Sequence, residues 1–180
     1  MSSDVNVRAA GGARPSAATQ AMAANSGSSG SLIEYISFAI GDDQYGVEIM
    51  SVREIKGWSG VTHLPKQPAY VRGVLNLRGA MVPIIDLRCR FGEGATEATA
   101  THVVIIVQIG SYLVGLLADR VLDIVSIEDS TIQSVPKMEN AEEAEFLSGL
   151  VTVGDALLAL IDLDHLLSAQ EGIAQSRAAA

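Results

Sequence analysis

From residue 32 to about residue 170 the apolar residues come in short runs broken by Gly, Asp, Asn or Pro. That is the spacing of strands and tight turns, not of long helices. Tyr35 to Ile40 reads as a strand, G-D-D-Q as a turn and Tyr45 to Ile49 as the returning strand. Val103 to Ile109 returns through Gly110-Ser111, a two-residue hairpin signal. Val52 to Lys56 and Val121 to Ile127 read as third strands. G-V-L-N-L and A-M-V-P-I-I pair across Arg78-Gly79, and L-V-T-V and A-L-L-A-L-I pair across Gly154-Asp155. Pro68 opens a single predicted helical turn, P-A-Y-V-R, where its missing N–H costs nothing. Pro83, inside a strand run, predicts an edge or a bulge. Near the end, Leu163, Leu166, Leu167 and Ile173 fall on one helical face, with Asp162 or Asp164 as the cap.

The pattern repeats. A shift of 69 residues aligns Ile40-Gly41 with Ile109-Gly110, Gly46 with Gly115, Val52 with Val121, Glu54 with Asp123 and Ile55 with Ile124. A shift of 76 aligns Gly73 with Gly149 and Ile85-Asp86-Leu87 with Ile161-Asp162-Leu163. The change of shift places an insertion between Val125 and Gly149, which contains the acidic run E-N-A-E-E-A-E. Each half reads as a five-stranded β unit, approximately 32–101 and 102–170. Units of this size are marginal alone, so the two are expected to intertwine or share an interface, leaving a groove for a ligand or partner. Of residues 1–30, 18 are Ala, Ser or Gly. They offer no face to bury and predict a disordered tail over 1–31; residues 171–180 are expected to fray.

Composition sharpens this reading. The 180 residues are 48% hydrophobic and only 4% aromatic, so the core is built from Val, Ile, Leu and Ala, and the class is mainly β. A net charge of −9 argues against a nucleic-acid partner. One cysteine, Cys89, leaves no internal disulfide and suits a reducing compartment. With no secretory pattern at the start and no apolar stretch near the ~20 residues of a membrane span, a cytoplasmic protein without membrane insertion is expected. The charge is uneven. Residues 48–91 carry seven basic against three acidic residues, whereas residues 92–180 carry three against 14. A solvated surface is the plain account, and a complementary partner is the sharper one.

No catalytic motif is evident: the chain lacks G-x-S-x-G, H-E-x-x-H, C-x-x-C and a Gly-rich phosphate loop. No enzyme activity, cofactor or metal is therefore expected. His63, His102 and His165 are far apart in sequence. D-L-D-H at 162–165 could be imagined as a metal site, but its counterpart D-L-R-C at 86–89 keeps only the Asp and Leu, which suits a helix cap better. Arg78 stands out because it occupies a hairpin tip where the repeat has Gly154, so the fold does not need arginine there. Glu54 keeps an acidic counterpart, Asp123, and a Glu54–Arg78 pair could hold a binding edge in register.

At these residues the chain resembles the CheW family, the coupling proteins of bacterial chemotaxis. The likeness rests on G-D-D-Q-Y-G-V-E-I-M-S-V-R-E-I, then P-A-Y-V-R-G-V-L-N-L-R-G-A-M-V-P-I-I-D-L-R. It continues in V-V-I-I-V-Q-I-G-S-Y-L-V-G-L-L-A-D-R-V-L-D-I and S-G-L-V-T-V-G-D-A-L-L-A-L-I-D-L-D-H-L-L, over roughly residues 33–168. The resemblance implies two SH3-like five-stranded β-barrels packed together, with a C-terminal helix. It implies a non-enzymatic adaptor between the cytoplasmic helical hairpin of methyl-accepting chemoreceptors and the regulatory domain of the chemotaxis histidine kinase, at membrane-associated arrays. Carried over by motif, Glu54, Arg78, Val103, Gly115 and Ile124 belong to the receptor side, and Ile49, Val52 and Gly73 to the kinase side. A coupling protein of another chemosensory pathway, such as surface motility, is the alternative. An enzyme or small-molecule carrier using the inter-barrel groove is a third reading.

Overall fold

The computed structural model describes residues 30–136 and 142–168. Ten strands follow in chain order: β1 (Leu32–Ile40), β2 (Asp43–Glu48), β3 (Val52–Gly57), β4 (Val71–Leu77), β5 (Ala80–Asp86), β6 (Val103–Ile109), β7 (Tyr112–Ala118), β8 (Arg120–Glu128), β9 (Leu147–Val153) and β10 (Ala156–Ile161). Two short helices, α1 (Leu87–Arg90) and α2 (Leu163–Ser168), follow β5 and β10. The protein is mainly β, with five strands in each half of the repeat. Nearly all of the expected N-terminal tail, the expected frayed end and Ile173 lie outside the described residues.

The two five-stranded sheets are not the two halves. One has the order β8-β1-β2-β10-β9, the other β3-β6-β7-β5-β4. Each half has given its first hairpin to the other: β1–β2 inserts between β8 and β10, and β6–β7 between β3 and β5. The joints are antiparallel on one side (β1 with β8, β3 with β6) and parallel on the other (β2 with β10, β5 with β7). This arrangement reproduces in each sheet the pairings a self-contained half would make, as in domain swapping.

The residues after β3 and β8 then reach the far edge of their own sheets. Thr62 bridges Val74 in β4, with N–H···O distances of 2.9 and 2.8 Å. Gln133 bridges Leu150 in β9, at 2.8 Å each way. These contacts join the two edges of each sheet and need backbones that nearly touch. A Cβ on Gly73 would collide with the Thr62 carbonyl, and its φ of +143° disfavours any side chain. A Cβ on Gly149 would collide with the Ile132 side chain and come within 3.1 Å of the Gln133 carbonyl oxygen. The repeated glycine thus has a physical cause.

The largest core lies between the sheets. Ile36, Phe38 and Ile40 of β1 and Tyr45 and Val47 of β2 meet Ile105 and Val107 of β6 and Val114, Leu116 and Ala118 of β7, with Leu87, Phe91, Phe146 and Leu166 completing it. Alternate residues of the same strands fill each sheet's own interior: Val104 and Ile106 with Val82 and Ile84 in one, Tyr35 with Leu158 and Leu160 in the other. Central strands buried on both faces account for near-continuous apolar runs such as V-V-I-I-V. At ~25 cal/mol per Å² of apolar surface removed from water, this shared layer supplies cohesion that neither small sheet could provide alone.

One local expectation changes, and two others are made specific. P-A-Y-V-R is a hydrogen-bonded turn, Val71 N–H to Pro68 O at 2.9 Å, that feeds directly into β4 and makes no helix. Pro83 lies inside β5, opposite Val74, without a bulge at that point; the β5–β7 ladder begins only at Ile84, so at Pro83 the strand has a neighbour on one side. Of the acidic insertion, Glu142–Phe146 is a 3-10 helix, and 137–141 lies outside the described residues.

Candidate functional site

Arg78 and Gly79 both have positive φ, 51° and 90°, the signature of a type I′ hairpin turn. The Asn76 Oδ1 accepts a hydrogen bond from the Gly79 N–H at 2.8 Å and locks it. At the matching turn Gly154 takes φ 62° freely. A left-handed conformation costs a non-glycine L-residue ~1–2 kcal/mol, so arginine stands here against a local cost. Its side chain is 82% exposed, with Nη2 3.4 Å from Glu54 Oε2. The expected pair is therefore present. It closes across the barrel, from the β4–β5 tip to edge strand β3. On its other oxygen, Oε1, Glu54 meets Lys56 Nζ at 3.6 Å, a partner the sequence reading missed although E-x-K on one strand face signals it.

The other expected residues sort by sheet face. Ile49, Val52 and Val103 are half-buried against the rim of the shared core. Ile124 is 53% exposed on edge strand β8, opposite Ile36, which faces that core. Its repeat mate Ile55 is 42% exposed on edge strand β3, opposite core residue Ile105. Each sheet therefore presents one exposed isoleucine at the border of the shared layer, and the shift of 69 residues already pointed to the second. Gly115 is buried elsewhere. A Cβ there would collide with Ile84 and come within 2.7 Å of Val104, so its missing side chain admits the interior of the β3–β7 sheet. Gly73 is likewise buried, serving the edge closure. Glu54 and Arg78 are brought together; Gly115 and Gly73 are scaffold positions behind the surface.

The basic first half is in large part structural. Arg72 Nη1 lies 3.7 Å from buried Asp86, and Arg88 Nη2 donates to Asp119 Oδ2 at 2.8 Å. Arg90 stacks between the rings of Tyr70 and Phe146 at 4.4 and 4.2 Å. Asp86, fully buried, caps α1 through the Cys89 N–H and accepts from Thr96 N and Oγ1 at 2.7 and 2.6 Å. Burial and the Asp86 charge push the Cys89 thiol above its ordinary value. The surface cations that remain are Arg53, Lys56, Lys66 and Arg78.

The histidines are dispersed. His63 is exposed; His102 Nδ1 accepts from the Thr99 N–H at 3.1 Å, which turns its Nε2 proton towards Asp119, 3.4 Å away. Asp162 is the cap of α2, accepting from the His165 N–H at 3.0 Å and meeting its ring at 2.7 Å, so the choice between Asp162 and Asp164 is resolved. Among the described residues no three metal-ligating groups converge. The exposed ion pair and, separately, the half-buried aliphatic residues at the rim of the shared core are groups of the kind that hold a protein partner.

Comparison with known proteins matches residues 34–171 to the family described as the CheW-like domain. A probable chemotaxis protein CheW of Rhizobium etli is 45% identical over 138 residues, covering 77% of this chain and 89% of the relative. Protein FrzA of Myxococcus xanthus is 31% identical over 118 residues, 66% of this chain and 73% of the relative. The crystal structure of the scaffolding protein TtCheW from Thermoanaerobacter tengcongensis superposes with a TM-score of 0.70 at 28% identity, over 76% of this chain and 88% of that one.

Proposed function

The chain belongs to the CheW-like family of non-enzymatic chemotaxis scaffolds, and from that premise we propose that it couples the cytoplasmic helical hairpin of chemoreceptors to the regulatory domain of the chemotaxis histidine kinase. The receptor side comprises Glu54, Arg78, Val103 and Ile124 on a scaffold that needs Gly115. The kinase side comprises Ile49 and Val52, on a barrel whose closure needs Gly73. The carrying observation is Arg78, held at positive φ on an exposed tip where the other half has glycine. An arginine kept against backbone cost, with its guanidinium in solvent, is placed for recognition. A helix laid along the receptor side would present apolar residues at i, i+3 and i+4 to Val103 and Ile124, and an acidic residue to Arg78. Coupling then requires the receptor's two packing states to differ in affinity for the adaptor, by ~1–3 kcal/mol in typical allosteric systems. The site of action would be the cytoplasmic face of membrane-associated receptor arrays; among the described residues no helix is long and apolar enough to cross a membrane.

Calorimetric titration at two salt concentrations tests this reading against both partners. Arg78→Gly, the residue of the matching turn, should weaken receptor binding while the denaturation midpoint stays unchanged or rises, and Arg78→Asp should weaken it further. Receptor affinity unaltered in both folded variants overturns the assignment. One-to-one binding of the kinase regulatory domain is expected from the unaltered protein. The likeness to Protein FrzA favours a second reading, coupling in another chemosensory pathway such as surface motility; pull-down of that pathway's receptor and kinase in place of the chemotaxis pair would establish it.

A further inference from the structure

Glu54 has a cation on each carboxylate oxygen, Lys56 at 3.6 Å on Oε1 and Arg78 at 3.4 Å on Oε2. One carboxylate needs only one of them. The two are placed differently: the Arg78 side chain is 82% exposed on a turn, whereas Lys56, at 36%, stands two residues from Glu54 on the same face of β3. Glu54 and Lys56 lie opposite Ile106 and Val104, whose side chains fill the interior of that sheet. The carboxylate, 26% exposed, is therefore partly desolvated, and removing its only cation would carry a cost. With two cations present, one can leave.

Resting on the receptor reading above, we propose that Lys56 is a positioning residue that retains Glu54 while Arg78 transfers to a carboxylate on the receptor hairpin. Binding is then an ion-pair exchange. Glu54 restrains Arg78 in the free protein, Lys56 weakens that restraint, and the locked Asn76–Gly79 turn fixes the direction in which the released side chain leaves the backbone. A fixed Glu54–Arg78 unit would instead offer the partner a neutral pair.

The test is a double-mutant cycle read as affinity for a recombinant helical-hairpin fragment of a chemoreceptor tip from the same genome, by calorimetry at low and moderate salt. Lys56→Met leaves Glu54 with Arg78 alone, and affinity should fall about two- to fivefold, the range of an exposed ion pair. Glu54→Gln removes the competitor, so Lys56→Met in that background should change affinity little, and Lys56→Arg should restore it in the native one. Circular dichroism checks each variant's fold. Equal losses from Lys56→Met in both backgrounds would show Lys56 acting as a simple surface charge or touching the partner, and would overturn the exchange; so would no loss in either. If Arg78→Gly also binds like the unaltered protein, the receptor reading itself has failed, as it has if the unaltered protein does not bind the hairpin.

Discussion

Asp86 and Asp162 occupy the same place in the two halves, the residue that ends a strand and caps a helix, yet their surroundings differ. Asp86 is fully buried and answers the Cys89 N–H, both polar groups of Thr96 and the Arg72 guanidinium. Asp162 is 29% exposed and answers the backbone and ring of His165, with no buried cation beside it among the described residues. The hairpin tips differ likewise, Arg78-Gly79 against Gly154-Asp155. Duplication preserved what the backbone requires, a cap and a close approach, and left the side chains around each free to diverge. The first half has a buried ionic centre at its cap and an exposed charge at its tip.

Replacing the two caps should break this comparison most sharply. Asp86→Ala leaves Arg72 without its carboxylate and Thr96 without its acceptor, and should cost ~3–5 kcal/mol, against ~0.5–2 kcal/mol for Asp162→Ala. Urea denaturation of both variants measures this, and equal losses would refute the contrast. The glycines come next. Gly73→Ala meets a backbone carbonyl in an unfavourable φ region and should cost ~2–3 kcal/mol, while Gly149→Ala meets first a side-chain methyl that can shift and should cost ~1 kcal/mol; the reverse order in thermal unfolding would count against edge closure as their reason.

The smallest effect is pH-dependent and is read at the cap of the second half. For Asp162, burial pushes the carboxyl up, but the hydrogen bonds from the His165 N–H and ring, with its charge, outweigh this and the net shift is below the ordinary 3.8. His165 is shifted above its ordinary 6.5 by the hydrogen bond and charge of Asp162. A lowered carboxyl stabilises the fold above 3.8 and loses that contribution as pH falls; a raised imidazole stabilises it below 6.5 and loses it as pH rises. Amide exchange in α2, corrected for its intrinsic pH dependence, should therefore be slowest between about pH 4 and 6.5 and accelerate on either side. A flat profile would show the cap to be indifferent to the ring's charge.

Much of this was legible beforehand. Each strand followed from alternation or an apolar run, and the turns at Gly110-Ser111 and Arg78-Gly79 followed from residue type, because these signals are local. The Glu54–Arg78 pair was legible because a non-glycine residue at a glycine turn is a local anomaly. The neighbour Lys56 and the exposed Ile55 were within reach of the same logic, one through strand periodicity and the other through the repeat. Pro68 misled because proline suits the first position of a helix and of a turn alike, and only the distance to β4 decided between them.

By itself the sequence determined the number of strands, their turns, the twofold repeat and the likeness to one family, all of which depend on patterns within a few residues or on comparison of one stretch with another. Only the tertiary structure decided that each half gives its first hairpin to the other. The exchanged and unexchanged arrangements bury the same faces with the same local pairings, so no propensity separates them. It also decided which arginines are held against the fold, since Arg72, Arg88 and Arg90 differ from Arg78 only in what the fold sets beside them: the buried Asp86, Asp119, two aromatic rings, or solvent.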